Sequence, residues 1–245
     1  MLARDIIRAL GPIDLHNIRR DPLLRGLVLF PFGLAFVVRY LLPPLADLIL
    51  SRLGFDLQPY YPLLIGLIAM FVPLMYGVVV GFMLLDQRDD HTLTALRVTP
   101  LSLKGYLLYR LGMPTVLAFV FTLFVLVVNG LVALNGVQIL GMALGSAPMV
   151  ALGALFLAGF AANKIQGFAL QKISGVFLMP PMFGYFLPPA WNWLLAIFPT
   201  FWPLNLTWDL LAGGQLAWFL LPAGLLYQGV LCAWLLQRVL HRMTP

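Results

Sequence analysis

Apolar residues run in long blocks along this chain, and polar residues are confined to the gaps between them. A helix that crosses a bilayer needs about 20 mostly apolar residues. Six blocks meet that length: Leu24–Leu45, Tyr60–Leu85, Gly105–Leu134, Ile139–Asn163, Ile173–Phe198 and Gln215–Gln237. The pattern predicts an all-α integral membrane fold of six transmembrane helices, with residues 1–245 as a single domain.

The gaps carry the topology. With the N-terminus inside, 13 of the Lys and Arg residues fall on one side of the six spans, and only Arg39 and Arg52 on the other. Positive residues are retained on the cytoplasmic side, so both termini are expected there, in a multi-pass protein of the bacterial cytoplasmic (inner) membrane. Residues 1–22 mix Ile6, Ile7, Leu10, Ile13 and Leu15 with Arg4, Arg8, Arg19 and Arg20. This is the pattern of an amphipathic helix lying in the interface, interrupted at Gly11-Pro12. The charges in this stretch do not fit a cleaved leader, so the segment is expected to stay.

The fifth block is unusual. It holds Met179-Pro180-Pro181 and Pro188-Pro189, and Phe198-Pro199-Thr200-Phe201-Trp202-Pro203 follows it. Proline removes a helix hydrogen bond and clashes with the preceding turn. Broken backbone at membrane depth survives only where protein or a watery cavity shelters it. Short re-entrant helices are therefore expected between spans five and six, ending at Gly213-Gly214. The aromatic residues crowded into the same stretch suit an interface.

Composition narrows the function. Hydrophobic residues make up 62% and charged residues 10% of the chain, too few charges to cover a water-facing surface. All nine acidic residues are Asp. The net charge of +6 is spread between spans rather than gathered with stacking aromatics, which argues against nucleic acid as a partner and leaves the lipid bilayer. The lone Cys232 excludes an intrachain disulfide and a cysteine metal site. An intramembrane enzyme lacks its parts, because Ser146 lies in a span whereas His16, His91 and His241 fall in the gaps. No catalytic or metal-binding set emerges. The nearest approach to a phosphate-binding loop, Gly167 to Ser174, lacks the second glycine and has Ile173 in the hydroxyl position. An ion-coupled carrier would place ionisable groups deep in its spans, and this chain has almost none there. That carrier, and a non-transporting scaffold or assembly factor, stand as the alternatives.

The segment 86–104 is the longest cytoplasmic connection. Asp89 or Asp90 can cap a short helix, and Leu93, Leu96 and Arg97 share one face of it. Thr99-Pro100 stops that helix and starts the next. The run Asp89-Asp90-His91-Thr92-Leu93-Thr94-Ala95-Leu96-Arg97-Val98-Thr99-Pro100-Leu101-Ser102 resembles the cytoplasmic loop of ABC exporter permeases of the drug, polysaccharide and haem exporter superfamily, which share the type V exporter fold. Asn17-Ile18-Arg19-Arg20-Asp21-Pro22 and Phe198-Pro199-Thr200-Phe201-Trp202-Pro203-Leu204 resemble other parts of the same permeases. Asp replaces the usual Glu, and His91 stands where Gly is usual.

The resemblance implies that 86–104 is a coupling loop docking into a separate cytoplasmic ATP-binding subunit through Asp89, Asp90, Thr92, Leu93, Leu96 and Arg97. A second contact is implied through Ile6, Leu10 or Leu15. ATP and Mg would be bound on that partner, with no cofactor on this chain. Two permease copies, identical or related, would face each other. The small residues Gly141, Ala143, Gly145, Ser146, Ala147 and Gly153 of span four permit close packing, either within one subunit or between two. Outward movement of a hydrophobic or amphipathic cargo (a drug, lipid or glycolipid) is implied, and some permeases with this loop export fluoroquinolones. Met70, Phe71, Met75, Tyr76, Phe119 and Phe124 are candidate cavity residues.

Overall fold

The computed structural model describes residues 22–90 and 103–243, and every regular element among them is helical. Helix α1 (Pro22–Phe36) passes through a π-helical turn (Val37–Leu41) into α2 (Leu42–Leu53). The π turn has a cause in the sequence. Pro43 and Pro44 cannot donate to the carbonyls of Arg39 and Tyr40 four residues back, and their rings push against them. A widened turn absorbs that conflict without ending the helix. Gly54 ends α2 in the left-handed conformation, φ 66°.

A 3-10 turn at Gln58–Tyr60 leads into α3 (Tyr61–Asp89), followed by α4 (Leu103–Val128), α5 (Gly136–Ser146) and α6 (Met149–Phe160). Next come α7 (Lys164–Phe183), a 3-10 turn Gly184–Phe186, the single turn α8 (Pro189–Asn192) and a 3-10 turn Trp193–Ile197. Helices α9 (Phe201–Ala212) and α10 (Ala217–Met243) complete the chain. Five stretches are long and apolar enough to cross a membrane: Leu24–Leu53, Gln58–Asp89, Leu103–Val128, Gly136–Phe160 and Ala217–His241. The protein is a multi-pass membrane protein.

The fifth expected span differs from the structure. No continuous helix covers Ile173–Phe198. Helix α7 begins at Lys164, and the chain then folds into short turns from Gly184. The early start is fixed by Asn163, whose side chain accepts the Gln166 amide, while Gln166 accepts the amide of Ala162. The third span also stops early. Buried Asn129 donates to the Leu126 carbonyl and accepts the amides of Leu131 and Val132 at 2.8 and 3.0 Å, turning the chain at Gly130 (φ 72°). Arg39 in the π turn donates to the Val128 carbonyl at 3.3 Å, covering the end of α4.

The fourth span is broken between α5 and α6 at Ala147-Pro148, since Pro148 has no amide for the Leu144 carbonyl. Gln228 of α10 donates to the Gly145 carbonyl at this break, and Ser146 Oγ donates back to Met142. The small residues of this span serve packing within the chain. A Cβ at Gly141 or Gly145 would strike Leu210 or Leu206 of α9, and Gly153 lies against Gly77 of α3.

Helix α3 is the centre of the bundle. In its span 56% of the most apolar window is buried, against 17% for α1–α2, which lies at the periphery. It packs most extensively on α6, through a core that includes Val80, Leu84, Leu152, Leu155 and Ala158. Helices without a hydrophobic drive between them associate by close backbone approach, and Gly77, Gly81 and Gly153 provide it here.

Candidate functional site

Three helices present matching stripes to a shared cavity of about 370 Å³. Helix α3 contributes Phe71, Leu74, Met75 and Val78, and α10 contributes Leu231, Trp234 and Leu235. Helix α6 supplies Met149, Leu152, Gly153, Phe156, Leu157 and Phe160. Each set follows the i, i+3, i+4, i+7 spacing of one helical face. Gln171 and Gly175 of α7 and Pro199-Thr200 close the remaining sides. The volume is within the usual range of small-molecule sites, and the lining is almost wholly apolar and aromatic. Phe71 and Trp234 on the rim are 41% and 51% exposed, so the cavity opens to the flank of the bundle.

The predicted cavity residues separate. Phe71 and Met75 line the cavity. Met70 and Tyr76 point elsewhere on α3 and are buried in helix packing, with Tyr76 in the cluster that includes Val72, Ala118 and Val125. Phe124 of α4 packs at a tilt against Phe32 of α1, ring centroids 5.0 Å apart, and Phe119 is half-buried on α4 outside the cavity. The contributions of α6, α7 and α10 were not anticipated. The spaced series Gly153-Phe156-Leu157-Phe160 and Leu231-Trp234-Leu235-Arg238 were the signals available for them.

At one end of this cavity the helix ends are tied together by polar groups. Lys164 Nζ pairs with Asp86 at 2.8 Å, and the Lys164 amide donates to Asp89 at 3.1 Å. Asp89 or Asp90 was expected to cap a short helix that follows, which lies outside the described residues. In the structure α3 continues through Asp89, and its carboxylate takes the first amide of α7, where a negative charge complements the helix dipole. Asp90 closes α3, its amide donating to the Asp86 carbonyl, with its side chain exposed. Arg88 of α3 donates to the Ala161 carbonyl and Arg238 of α10 to the Gly159 carbonyl, each at 3.2 Å. Two arginines from neighbouring helices thus cap the negative end of α6. Tyr106 of α4 donates to Gln87 at 2.7 Å. The expected contacts at Thr92, Leu93, Leu96 and Arg97, and those at Ile6, Leu10 and Leu15, lie outside the described residues.

At the opposite end a second pocket of about 440 Å³ lies among Tyr185, Trp193, Asn205 and Asp209. Asp209 accepts the Ala217 amide at 2.6 Å and so fixes the turn between α9 and α10. No group of three or more metal-ligating side chains occurs among the described residues.

An apolar helix bundle with a flank-opening aromatic cavity and a tied cluster of charged helix ends defines a polytopic membrane protein with a small-molecule-sized cavity. Residues 14–236 match the model of the Rv2686c-like fluoroquinolones export permease protein family, and the chain belongs to that family. Two curated relatives are the fluoroquinolones export permease proteins MT2760 and Rv2686c, from the CDC 1551 / Oshkosh and ATCC 25618 / H37Rv strains of Mycobacterium tuberculosis. Each is 31% identical over 150 residues, a stretch covering 60% of this chain and 60% of the relative. These relatives are named as transport proteins, not as enzymes. No solved structure matches the chain.

Proposed function

We propose that this chain is the membrane permease subunit of an ATP-driven exporter that moves a hydrophobic or amphipathic molecule outward. The observation that carries this reading is the aromatic cavity joined, through α3 and the Asp86–Lys164 pair, to the start of segment 91–102. In this reading α7 makes a sixth crossing, its 20 residues being just long enough, and residues 184–212 dip into the outer leaflet. Both termini are cytoplasmic, in the inner membrane. A separate ATP-binding subunit, with its ATP and Mg, docks on 86–104 and supplies the energy. A second permease copy, identical or related, covers the open flank of the cavity. The family name supports fluoroquinolones as one cargo.

The test is co-purification with the neighbouring ATP-binding subunit, followed by an ATPase assay. Leu93→Asp/Leu96→Asp is expected to insert and fold as the wild type does but to lose the ATP-hydrolysing complex. If the wild type neither binds nor regulates any ATP-binding subunit, a carrier or scaffold becomes the better account.

The pair joining α3 to α7 gives a finer prediction. Lys164 and Asp86 are 48% and 43% exposed in their side chains, so the pair contributes at most ~1 kcal/mol to stability. Lys164→Asp is therefore expected to barely move the unfolding temperature while cutting cargo-stimulated ATP hydrolysis several-fold. Restoring the opposite charge with Asp86→Lys in the same chain should recover it. Failure of the double exchange to recover stimulation, with assembly intact, would show that the pair does not transmit the signal.

A further inference from the structure

The cavity has a charged end that its apolar lining does not explain. Arg238 is the next position of the α10 stripe that supplies Leu231, Trp234 and Leu235 to the cavity, one turn beyond Trp234. Its guanidinium carbon sits 4.2 Å from the ring centroid of Phe160 and 6.0 Å from that of Trp234, and both rings line the cavity. A guanidinium held over an aromatic face by its central carbon can keep its edge donors for a partner. Nε is used by the Gly159 carbonyl. No carboxylate pairs with Arg238 among the described residues, whereas Lys164 nearby has Asp86. A half-buried cation with two donor groups to spare stands at the end of an aromatic slot.

We infer that Arg238 determines specificity by binding the carboxylate of a planar aromatic acid whose rings occupy the cavity. This rests on the cavity being the cargo site. A guanidinium edge matches a carboxylate with two parallel hydrogen bonds, and the low-dielectric surroundings strengthen them. The aromatic walls at Phe71, Phe156, Phe160 and Trp234 favour flat rings over a flexible acyl chain, which selects an aromatic acid over a lipid. Capping of α6 alone needs only the Nε donor.

The experiment measures binding of norfloxacin and of its methyl ester to the purified permease with its ATP-binding subunit, in nanodiscs of zwitterionic lipid. Wild type is expected to prefer the acid by about tenfold, the size of one charge-assisted contact. Arg238→Gln can still donate to Gly159, and should reduce the preference to within about twofold at an unchanged unfolding temperature. Arg238→Lys should keep part of it. A merely structural arginine would alter both ligands equally. Equal binding of acid and ester by the wild type, with both blocked by Gly175→Trp, overturns the role of Arg238 and leaves the cavity reading standing. Binding that Gly175→Trp does not affect overturns the cavity reading itself. Loss of the acid preference when phosphatidylglycerol is added would show that a lipid phosphate occupies Arg238, which also overturns the inference.

Discussion

Gly175→Trp is expected to abolish export while leaving a folded, membrane-inserted protein. Gly175 lies on the α7 wall of the cavity, and a Cβ there would meet no atom within 4 Å. The backbone has no positive φ at this position, so a side chain is tolerated without strain. An indole added there occupies a large part of a cavity of about 370 Å³ and removes the space a cargo needs. Removal of the site acts on binding and turnover together, so drug accumulation in cells should match that of a strain lacking the permease. ATP hydrolysis without cargo should persist, because the charged helix ends are untouched. Transport at wild-type rate by a well-expressed Gly175→Trp protein would mean that cargo passes elsewhere.

Gly77→Ala is expected to be among the most destabilising single-methyl additions in the chain, and Gly153→Ala close to neutral. The two glycines face each other where α3 crosses α6. A Cβ on Gly77 would sit 2.8 Å from the Val150 carbonyl oxygen and 3.1 Å from that of Met149. Both are backbone atoms and cannot rotate away, so α3 and α6 must separate, at a cost of about 1–3 kcal/mol or more. A Cβ on Gly153 would instead lie 3.5 Å from Gly77, an ordinary contact. Thermal unfolding in detergent measures the contrast. Equal losses for the two variants would show that the α3–α6 crossing is looser than described.

Much of this fold can be read in the sequence where one physical signal dominates. Apolar length placed the second and last spans, because the single interior prolines, Pro73 and Pro222, do not end either helix. The misplacements have local causes. Asn129 has the character of a span-end residue, and only its three hydrogen bonds show that it turns the chain before the hydrophobicity ends at Leu134. Lys164, Gln166, Gln171 and Lys172 lower the apolar average over α7, so a hydropathy reading starts that helix late. Its true beginning is set by Asn163 and by Asp89 from another helix. The cavity was harder to read. Helix α3 is apolar all round, so Phe71 and Met75 cannot be distinguished from Met70 and Tyr76 until its orientation is known. That orientation follows from Gly77 and Gly81, which turn one face against α6 and leave the Phe71–Val78 stripe beside it. Arg238 counted only as a topological charge, since its stacking on Phe160 depends on two helices distant in sequence.

The break at Pro148 has a consequence for how the chain is made. The carbonyl of Gly145 at the break, and that of Gly159 at the end of α6, accept hydrogen bonds from Gln228 and Arg238. Both donors belong to α10, which is synthesised well after α6. Until it docks, the Gly145 acceptor at the break of an already inserted span lacks its partner, which is costly for a polar group at membrane depth. Completion of the fourth span therefore waits for α10. A chain cut short before Gln228 keeps nearly all its apolar surface yet carries an unfinished fourth span, and this is the defect by which membrane quality control would recognise it.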